Sequence, residues 1–293
     1  MLDSPGVRLV ATSSPTDIVD ADEFNTAARD RVRKFVEHYR RTSPEDGSNC
    51  EILVESAIPP HAGLGSGTQL GLATALVLQR ISMRTVSASP WTLAERVGRG
   101  RRSGIGIAGS QIGGMLLDSG ERLPGEHRVR RIDVPEAWRI VLITPLDETG
   151  LSGAAELQAF DELPATPQTE VDRLWKFATE TIATSLERQD FESFTEAVYR
   201  YGYDVGQTFA AVQGGPFANS TTAALVEFLR DHGVRGVGQT SWGPTVFAFA
   251  PDRQSASDIS QMIHAETQFG RLSMHTTRPR NTGVTITPID PPR

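Results

Sequence analysis

The chain has 293 residues, of which 38% are hydrophobic, and a formal net charge of -7 at pH 7. This acidic balance excludes a general binder of nucleic acid or of acidic membranes, so any site for an anion has to be local. The lone Cys50 excludes an intramolecular disulfide framework and a thiolate metal cluster built from one chain, and it fits a reducing compartment, by default the cytoplasm. Neither a membrane span nor a signal peptide is visible, so the sequence predicts a soluble globular protein long enough for two modest domains.

The first half of the chain predicts a mixed α/β domain. A short strand is expected over residues 7–11 and another over residues 50–57, in which Ile52 and Val54 face one way. Between them, apolar residues recur at helical spacing and predict an amphipathic helix whose aromatic stripe packs in the core. The residues of this stripe are Phe24, Ala28, Val32, Phe35 and Tyr39.

Two further helices and several strands complete this half. Residues 68–81 are apolar nearly all round, so the helix they form is expected to be buried. A second helix is expected over residues 90–97, with Ser89 as its N-cap and Pro90 at its first position. Short strands are then expected at residues 105–108, 114–118, 128–133 and 139–144.

The pattern of the sequence changes around residues 145–153, and we place the domain boundary between residues 147 and 148. Beyond this connector, the spacing of apolar residues predicts helices near residues 171–182, 191–205 and 223–229, with one more between 253 and 267. Strands are expected at residues 245–250, 271–276 and 284–288. The second half is therefore expected to form a second α/β layer.

The stretch PPHAGLGSGTQLGLATALVL, which begins at Pro59, runs from a strand through a glycine loop into an apolar helix. Gly63, Gly65 and Gly67 remove Cβ atoms that would keep a ligand off the main chain, and they permit the positive φ angles of a tight loop. The unpaired N–H groups at the start of the helix add to the same site. An anion is expected there, although the stretch matches neither the Walker A motif nor the full GxGxxG fingerprint.

Two more segments are candidates for binding an anion or a substrate. Arg99, Arg101 and Arg102 share a glycine-rich turn, which suits phosphate oxygens but equally fits a solvated basic turn. The stretch GVGQTSWGPTVFAFA is a second glycine loop that leads into a buried strand, and it equally fits a structural turn with Trp242 packed beneath it.

Taken together, these motifs resemble a known family. PPHAGLGSGTQ resembles the second signature of the GHMP kinase superfamily, with Gly67 and Thr68 where the kinases usually have Ser and Ala. Five motifs in this order are similar to the β-ribofuranosylaminobenzene 5'-phosphate synthase family: PPHAGLGSGTQL, GRGRRSGIG, GLSGAAE, QGGPFAN and GVGQTSWGPTV. The resemblance extends over about residues 50–250.

The resemblance implies an α+β fold of two GHMP domains, residues 1–147 and 148–293, the first mixed α/β with the phosphate loop and the second ferredoxin-like. It implies a pentosyltransferase that joins phosphoribosyl pyrophosphate to 4-aminobenzoate or 4-hydroxybenzoate and releases pyrophosphate and carbon dioxide, a step in the synthesis of methanopterin-type cofactors. Two alternatives stay open. One is an ATP-dependent GHMP-type small-molecule kinase that uses the same loop for ATP, and the other is a non-catalytic phosphate-binding relative.

The residues expected to act fall into three groups. His61, Arg101 and Arg102 are the catalytic candidates, although His61 is at least as well explained as a structural hydrogen-bonding residue. Phosphate and substrate are expected to contact Gly63, Leu64, Gly65, Ser66, Gly67, Thr68, Gln69, Arg99, Ser103, Gly238, Gln239, Thr240 and Ser241. Mg²⁺ is the implied cofactor, held with the pyrophosphate at Ser66 and Thr68, while Trp242 is interpreted as a packing residue.

One departure from the family concerns the beginning of the chain. Superfamily members usually begin with a further strand segment that carries a motif of the RLHFGL kind, and nothing before Val7 matches it. Either the start codon lies further upstream or the first strands have been lost, in which case the sheet has an exposed edge. The expected partners are small molecules and not nucleic acid or membrane. A homodimer, the choice of benzoate and the identity of a base are left open.

Overall fold

The computed structural model describes residues 1–45, 47–83, 88–100, 104–123, 126–150 and 153–289. The strands are β1 (Arg8–Ser13), β2 (Ile18–Ala21), β3 (Cys50–Ser56), β4 (Met115–Leu123), β5 (Glu126–Ile132), β6 (Arg139–Pro145), β7 (Val237–Gln239), β8 (Val246–Ala250) and β9 (Leu272–Thr277). The helices are α1 (Thr26–Thr42), α2 (Ser66–Met83), α3 (Pro90–Arg96), α4 (Ile105–Ile112), α5 (Gly153–Glu162), α6 (Gln168–Phe177), α7 (Ala183–Glu187), α8 (Phe191–Gln213), α9 (Ser220–Asp231) and α10 (Arg253–His264). A 3-10 turn (Glu23–Asn25) precedes α1, and a π-helical turn (Ala178–Ile182) joins α6 to α7.

The first sheet has the strand order β1-β3-β2, with β1 antiparallel and β2 parallel to β3. Along β3, Cys50, Ile52 and Val54 are buried while the residues between them are exposed, which confirms the predicted alternation. The buried face packs against α1 and α2, where Phe35 and Tyr39 lie in the core as predicted. This packing brings α1 beside the first turns of α2.

Helix α1 begins later than the apolar pattern predicts. The side chain of Asp22 accepts hydrogen bonds from the N–H groups of Phe24 and Asn25 and caps a separate 3-10 turn. Phe24 therefore falls outside α1 and is 86% exposed, so its predicted place in the core stripe was wrong. The predicted cap of α3 is confirmed, because Ser89 Oγ accepts a hydrogen bond from Thr92 N at 3.1 Å.

Two predicted strands are wrong. Residues 105–108 lie in helix α4, where the carbonyl of Gly104 accepts hydrogen bonds from the N–H groups of Ile107 and Ala108. A segment of four residues is too short for periodicity to separate a strand from a helix. Residues 284–288 alternate like a strand but lie beside α4, where Val284 N donates to Ser110 O at 2.7 Å, and they form no ladder with another described strand.

The second sheet is antiparallel throughout, with the order β7-β8-β6-β9. Its central strands place Val141 and Val246 in a core that α9 and α10 cover with Leu225 and Ile259. The hairpin β4–β5 lies between the two sheets in the chain, and its Leu117 packs with residues of the α6–α8 region. The mixture of helices and strands confirms the predicted α+β class, while the boundary between residues 147 and 148 stays a prediction.

Helix α2 is only partly enclosed. Leu70, Leu72 and Leu78 are almost completely buried, whereas Leu76 and Val77 are half-buried and line a cavity. The helix is therefore largely buried, as predicted, and its half-buried face borders the cavity. No helix in the described ranges combines the length and the apolar character that crossing a membrane requires.

Candidate functional site: a cationic cavity at the start of α2

A cavity of about 2200 Å³ opens at the first turns of α2. It is bounded by β1, the glycine loop before α2, the turn that contains Arg99, and the C-terminal segment 280–289. Sites for one small ligand usually have volumes of about 300–1000 Å³, so this cavity has room for two substrates.

The glycine loop has the backbone conformation of an anion cradle. His61, Gly63 and Gly65 all have positive φ angles, of 60°, 70° and 69°. The carbonyl of Gly65 accepts hydrogen bonds from Thr68 N and Gln69 N at 3.1 and 3.2 Å, and α2 begins at Ser66. Within the described ranges, the N–H groups of Ser66 and Gly67 have no backbone partner, so they are available to an anion at the positive end of the helix dipole.

Two guanidinium groups meet at this first turn. A Cβ atom built on Gly67 would lie 2.9 Å from Arg99 Nη2 and 3.2 Å from Arg31 Nη2. Arg99 is held in place by its stem, which lies against Gly71, and by its guanidinium carbon, which lies 5.2 Å from the centre of the Phe35 ring. Helix α1 and the turn after α3 thus each place a cation at the first turn of α2.

The electrostatics of Arg31 are those of a cation that lacks its counterion. Burial, and next the charge of Arg99, hold the pKa of the Arg31 guanidinium below its usual value. In the part of the chain that the structure describes, Arg31 has no acidic partner. Arg31 and Arg99 carry like charges close together, and an anion bound between them would offset their repulsion.

The rest of the cavity wall has the same sign of charge. The described lining residues include Arg31, Arg80, Arg99 and Arg280, together with Arg8, which pairs with Glu55 at 2.6 Å. Asp3 is the only acid among them, and its carboxylate accepts a hydrogen bond from Arg278 at 3.0 Å. A chain with a net charge of -7 thus has a strongly cationic cavity, which fits a substrate with several negative charges.

Arg31 is a site residue that the sequence analysis missed. It lies on the face of α1 that also carries the buried residues Ala28, Val32 and Phe35. A charged residue inside the apolar stripe of an amphipathic helix is unexpected on packing grounds. That mismatch is the signal in the sequence that could have identified it.

The loop after β7 lies directly against the glycine loop. Thr240 Oγ1 shares its single O–H proton between two carbonyl oxygens, Ala62 O at 3.0 Å and Thr245 O at 3.2 Å. A Cβ atom on Gly63 would lie 2.3 Å from Thr240 O, and one on Gly150 would lie 2.2 Å from Gly243 O. Contacts with the second half of the chain therefore hold the glycine loop in place, and they leave no room for a side chain on Gly63.

Replacing Thr240 with valine removes this hydroxyl but keeps the shape of the side chain. We expect the free energy of unfolding to fall by about 1–3 kcal/mol, because the buried carbonyl of Ala62 loses its donor. We also expect pyrophosphate to bind about tenfold more weakly, a change of about 1.4 kcal/mol, because the loop is held less firmly. Chemical denaturation and calorimetric titration measure the two effects.

Thr240→Ser is the matched variant, because serine retains the hydroxyl, and it should behave like the unmodified chain. Thr245→Val removes the hydroxyl that pairs with Thr144 Oγ1 at 2.8 Å, and that side-chain pair does not include the glycine loop. Unchanged pyrophosphate affinity in Thr240→Val would contradict the role of the hydroxyl in holding the loop.

The structure brings most of the predicted site residues to the cavity but not all of them. The predicted residues that line it are His61, Gly63, Leu64, Gly65, Ser66, Gly67, Thr68, Gln69, Arg99 and Ser241. The other predicted residues in the described ranges have structural contacts: Gly238 lies in β7 against the Phe247 ring, and the amide of Gln239 bonds to Ala218 N at 2.6 Å and to Ser241 O at 2.8 Å. Arg101, Arg102 and Ser103 lie outside the described residues.

The donors near the loop suit only one kind of metal site. No group of three or more His, Cys, Asp or Glu residues able to hold a metal ion occurs among the described residues. The hydroxyl-bearing residues Ser66 and Thr68 line the cavity at the start of α2. Mg²⁺ binds through few protein ligands when phosphate oxygens and water supply the others, so these residues fit a magnesium ion that arrives bound to a substrate.

Comparison with known proteins agrees with this geometry. The family model described as GHMP kinases N terminal domain matches residues 30–114, and the model described as GHMP kinases C terminal matches residues 182–267. A β-ribofuranosylphenol 5'-phosphate synthase of Methanothermobacter thermautotrophicus is 30% identical over 253 residues, which cover 79% of this chain and 75% of that protein. The chain belongs to this synthase family, within the GHMP kinase superfamily. A protein of the same name from Archaeoglobus fulgidus is 25% identical and matches 97% of this chain and 90% of its own length.

Solved structures show that this chain has the same fold as GHMP kinases. Homoserine kinase from Cytophaga hutchinsonii has a TM-score of 0.65 with 14% identity, covering 96% of this chain and 89% of that one. The L. major mevalonate kinase solved with R-mevalonate has a TM-score of 0.66, also with 14% identity, covering 94% and 86%. At this identity, the likeness concerns the fold alone.

Proposed function

We propose that this chain transfers the 5-phosphoribosyl unit of phosphoribosyl pyrophosphate to the carboxyl-bearing ring carbon of 4-hydroxybenzoate or 4-aminobenzoate. The products are a ribofuranosylbenzene 5'-phosphate, pyrophosphate and carbon dioxide. The relatives are named for the phenol product, so 4-hydroxybenzoate is the favoured acceptor. The reaction belongs to the synthesis of methanopterin-type cofactors.

The reaction balances without a base that removes a proton from the ring. The bond between C1 of the ribose and the pyrophosphate oxygen breaks, and its electron pair leaves with pyrophosphate. The ring carbon forms a new bond to C1, and the carbon–carboxylate bond then breaks. Its electrons restore the aromatic ring as neutral carbon dioxide leaves.

The cationic cavity supports this proposal over a kinase reaction. Pyrophosphate gains negative charge as it leaves, and fixed donors and cations at that position lower the barrier. A kinase of this fold would use a carboxylate to orient the attacking hydroxyl. The described residues that line the cavity offer Asp3 as their only carboxylate, and Arg278 already engages it.

The roles of the chain's own groups follow from their positions. In the proposal, the N–H groups of Ser66 and Gly67 bind the pyrophosphate, and Arg31 and Arg99 bind its outer phosphate oxygens. His61 and Ser241 line the same cavity and are proposed to contact the ribose or the acceptor.

Magnesium is proposed to enter as the counterion of phosphoribosyl pyrophosphate. When bound, it neutralises charge on the departing pyrophosphate. The hydroxyls of Ser66 and Thr68 would hold it at the start of α2. Its removal by a chelator is expected to stop turnover.

One assay separates the candidate reactions. The purified chain is incubated with Mg²⁺ and either phosphoribosyl pyrophosphate plus one of the two benzoates, or ATP plus small alcohols. We expect carbon dioxide from the first mixture and no ADP from the second. Release of ADP without carbon dioxide would support the kinase reaction. Release of neither product would support a non-catalytic relative.

A further inference from the structure

Trp242 is a nearly buried side chain that still touches the cavity. Its exposed fraction is 5%, and it is the only Phe, Tyr or Trp among the described residues that line the cavity. The rings of Phe160 and Phe209 contact it edge to face, with centroids 5.2 and 4.9 Å away. These contacts hold the indole ring in one orientation, so its position is fixed before a ligand arrives.

The polar atom of this side chain has no partner within the described residues. Trp242 carries one donor, the indole Nε1–H, and a buried indole usually finds an acceptor. The enclosed side-chain atoms that lack a hydrogen bond in the described ranges are Ser43 Oγ and Ser82 Oγ. Trp242 Nε1 is not one of these enclosed atoms and has no hydrogen bond among the described residues, and Trp242 lines the cavity.

We infer that the indole N–H of Trp242 donates a hydrogen bond to the carboxylate of the acceptor benzoate, with the benzene ring beside the indole. This inference rests on the proposed function, and it adds a residue that selects and orients the acceptor. An unpaired donor on a nearly buried ring suits an acceptor that is itself a flat ring with a charged oxygen.

The position of Trp242 agrees with what the reaction needs. The carbon that bears the carboxylate has to reach C1 of the ribose, to which the pyrophosphate is attached. The loop that carries Trp242 touches the phosphate loop, since a Cβ atom on Gly63 would lie 3.1 Å from Gly243 O. A carboxylate held by Trp242 is therefore close to the pyrophosphate end of the other substrate.

The test is a comparison of two variants and two ligands. Trp242→Phe keeps an aromatic ring but removes the N–H, and phenol keeps the ring and hydroxyl of 4-hydroxybenzoate but lacks its carboxylate. We expect Trp242→Phe to weaken 4-hydroxybenzoate binding by about tenfold to hundredfold, as for a hydrogen bond to a charged group. The affinity for phenol should stay within about twofold, by the same reasoning. NMR titration measures both dissociation constants.

Trp138→Phe is the matched control, because Trp138 is also 5% exposed and contacts Phe191 edge to face, but it does not line the cavity. It should leave both affinities unchanged. Equal losses for 4-hydroxybenzoate and phenol in Trp242→Phe, or no loss for either, would overturn the hydrogen bond while leaving the proposed reaction intact. If the unmodified chain binds magnesium phosphoribosyl pyrophosphate but not 4-hydroxybenzoate, both the inference and the proposed acceptor fail.

A second measurement uses the unmodified chain, so it does not depend on the folding of a variant. The chain has four tryptophans, and ¹⁵N labelling gives each indole N–H its own NMR signal. Addition of 4-hydroxybenzoate should move one of these signals downfield, as a hydrogen bond forms, and phenol should not. No selective shift with 4-hydroxybenzoate would overturn the inference.

Discussion

Replacing Gly63 with alanine is expected to lower the free energy of unfolding by about 2–5 kcal/mol and to weaken pyrophosphate binding by more than about tenfold. The added Cβ would lie 2.3 Å from Thr240 O and 2.4 Å from Thr240 Oγ1, where there is no space for it. The backbone of Gly63 also has a φ of 70°, which disfavours any side chain. Chemical denaturation and calorimetric titration with pyrophosphate measure the two losses.

Gly65 supplies the matched control for the stability change. Its φ of 69° is almost the same, but a Cβ atom there would have no neighbour within 4 Å. Gly65→Ala should therefore lose only the backbone contribution, about 1–2 kcal/mol. Equal losses of stability in Gly63→Ala and Gly65→Ala would contradict the tight contact between the glycine loop and the Thr240 loop.

Replacing Arg31 with glutamine is expected to weaken pyrophosphate binding by about tenfold to hundredfold without lowering the stability of the free protein. A hydrogen bond to a charged phosphate contributes about 1.5–3 kcal/mol, which accounts for the loss of affinity. The stability should stay the same or rise, because burial and Arg99 lower the pKa of Arg31 and so disfavour its charged form in the folded chain. A residue with a purely structural role would lose stability instead.

Arg99→Gln should lose a similar affinity and also some stability, about 0.5–1 kcal/mol, because its guanidinium lies over the Phe35 ring. Arg29→Gln is the control, since Arg29 lies on the same helix as Arg31 and pairs with Asp30 at 3.3 Å outside the cavity lining. Its affinity for pyrophosphate should be unchanged. The account would be wrong if Arg31→Gln and Arg29→Gln bound pyrophosphate equally well.

The parts of the fold that depend on residues close together in the sequence were predictable. The alternation of β3, the cap of α3 and the passage from glycine loop to α2 are local features, and the structure has all three. The strand predicted over residues 105–108 was wrong because so short an apolar segment contains no measurable period. Residues 284–288 show that alternation alone does not supply a partner strand.

The site was predictable only where one segment carries it. The glycine loop is such a segment, and ordinary loop chemistry predicts an anion there. Arg31 reaches the loop because α1 packs beside α2, and no local pattern encodes that contact. Thr240 was expected to contact a substrate, but its hydroxyl bonds to Ala62 O, 178 residues earlier in the chain. Contacts at such separation depend on how the two halves of the chain pack.

The measurement that tests the proposed reaction most directly is the ratio of its two small products. The chain is incubated with magnesium phosphoribosyl pyrophosphate and 4-hydroxybenzoate labelled with ¹⁴C in the carboxyl group, and carbon dioxide and pyrophosphate are both counted. We expect one carbon dioxide for each pyrophosphate, with no release of either when one substrate is omitted. Pyrophosphate without carbon dioxide, or neither product, would contradict the proposed transfer.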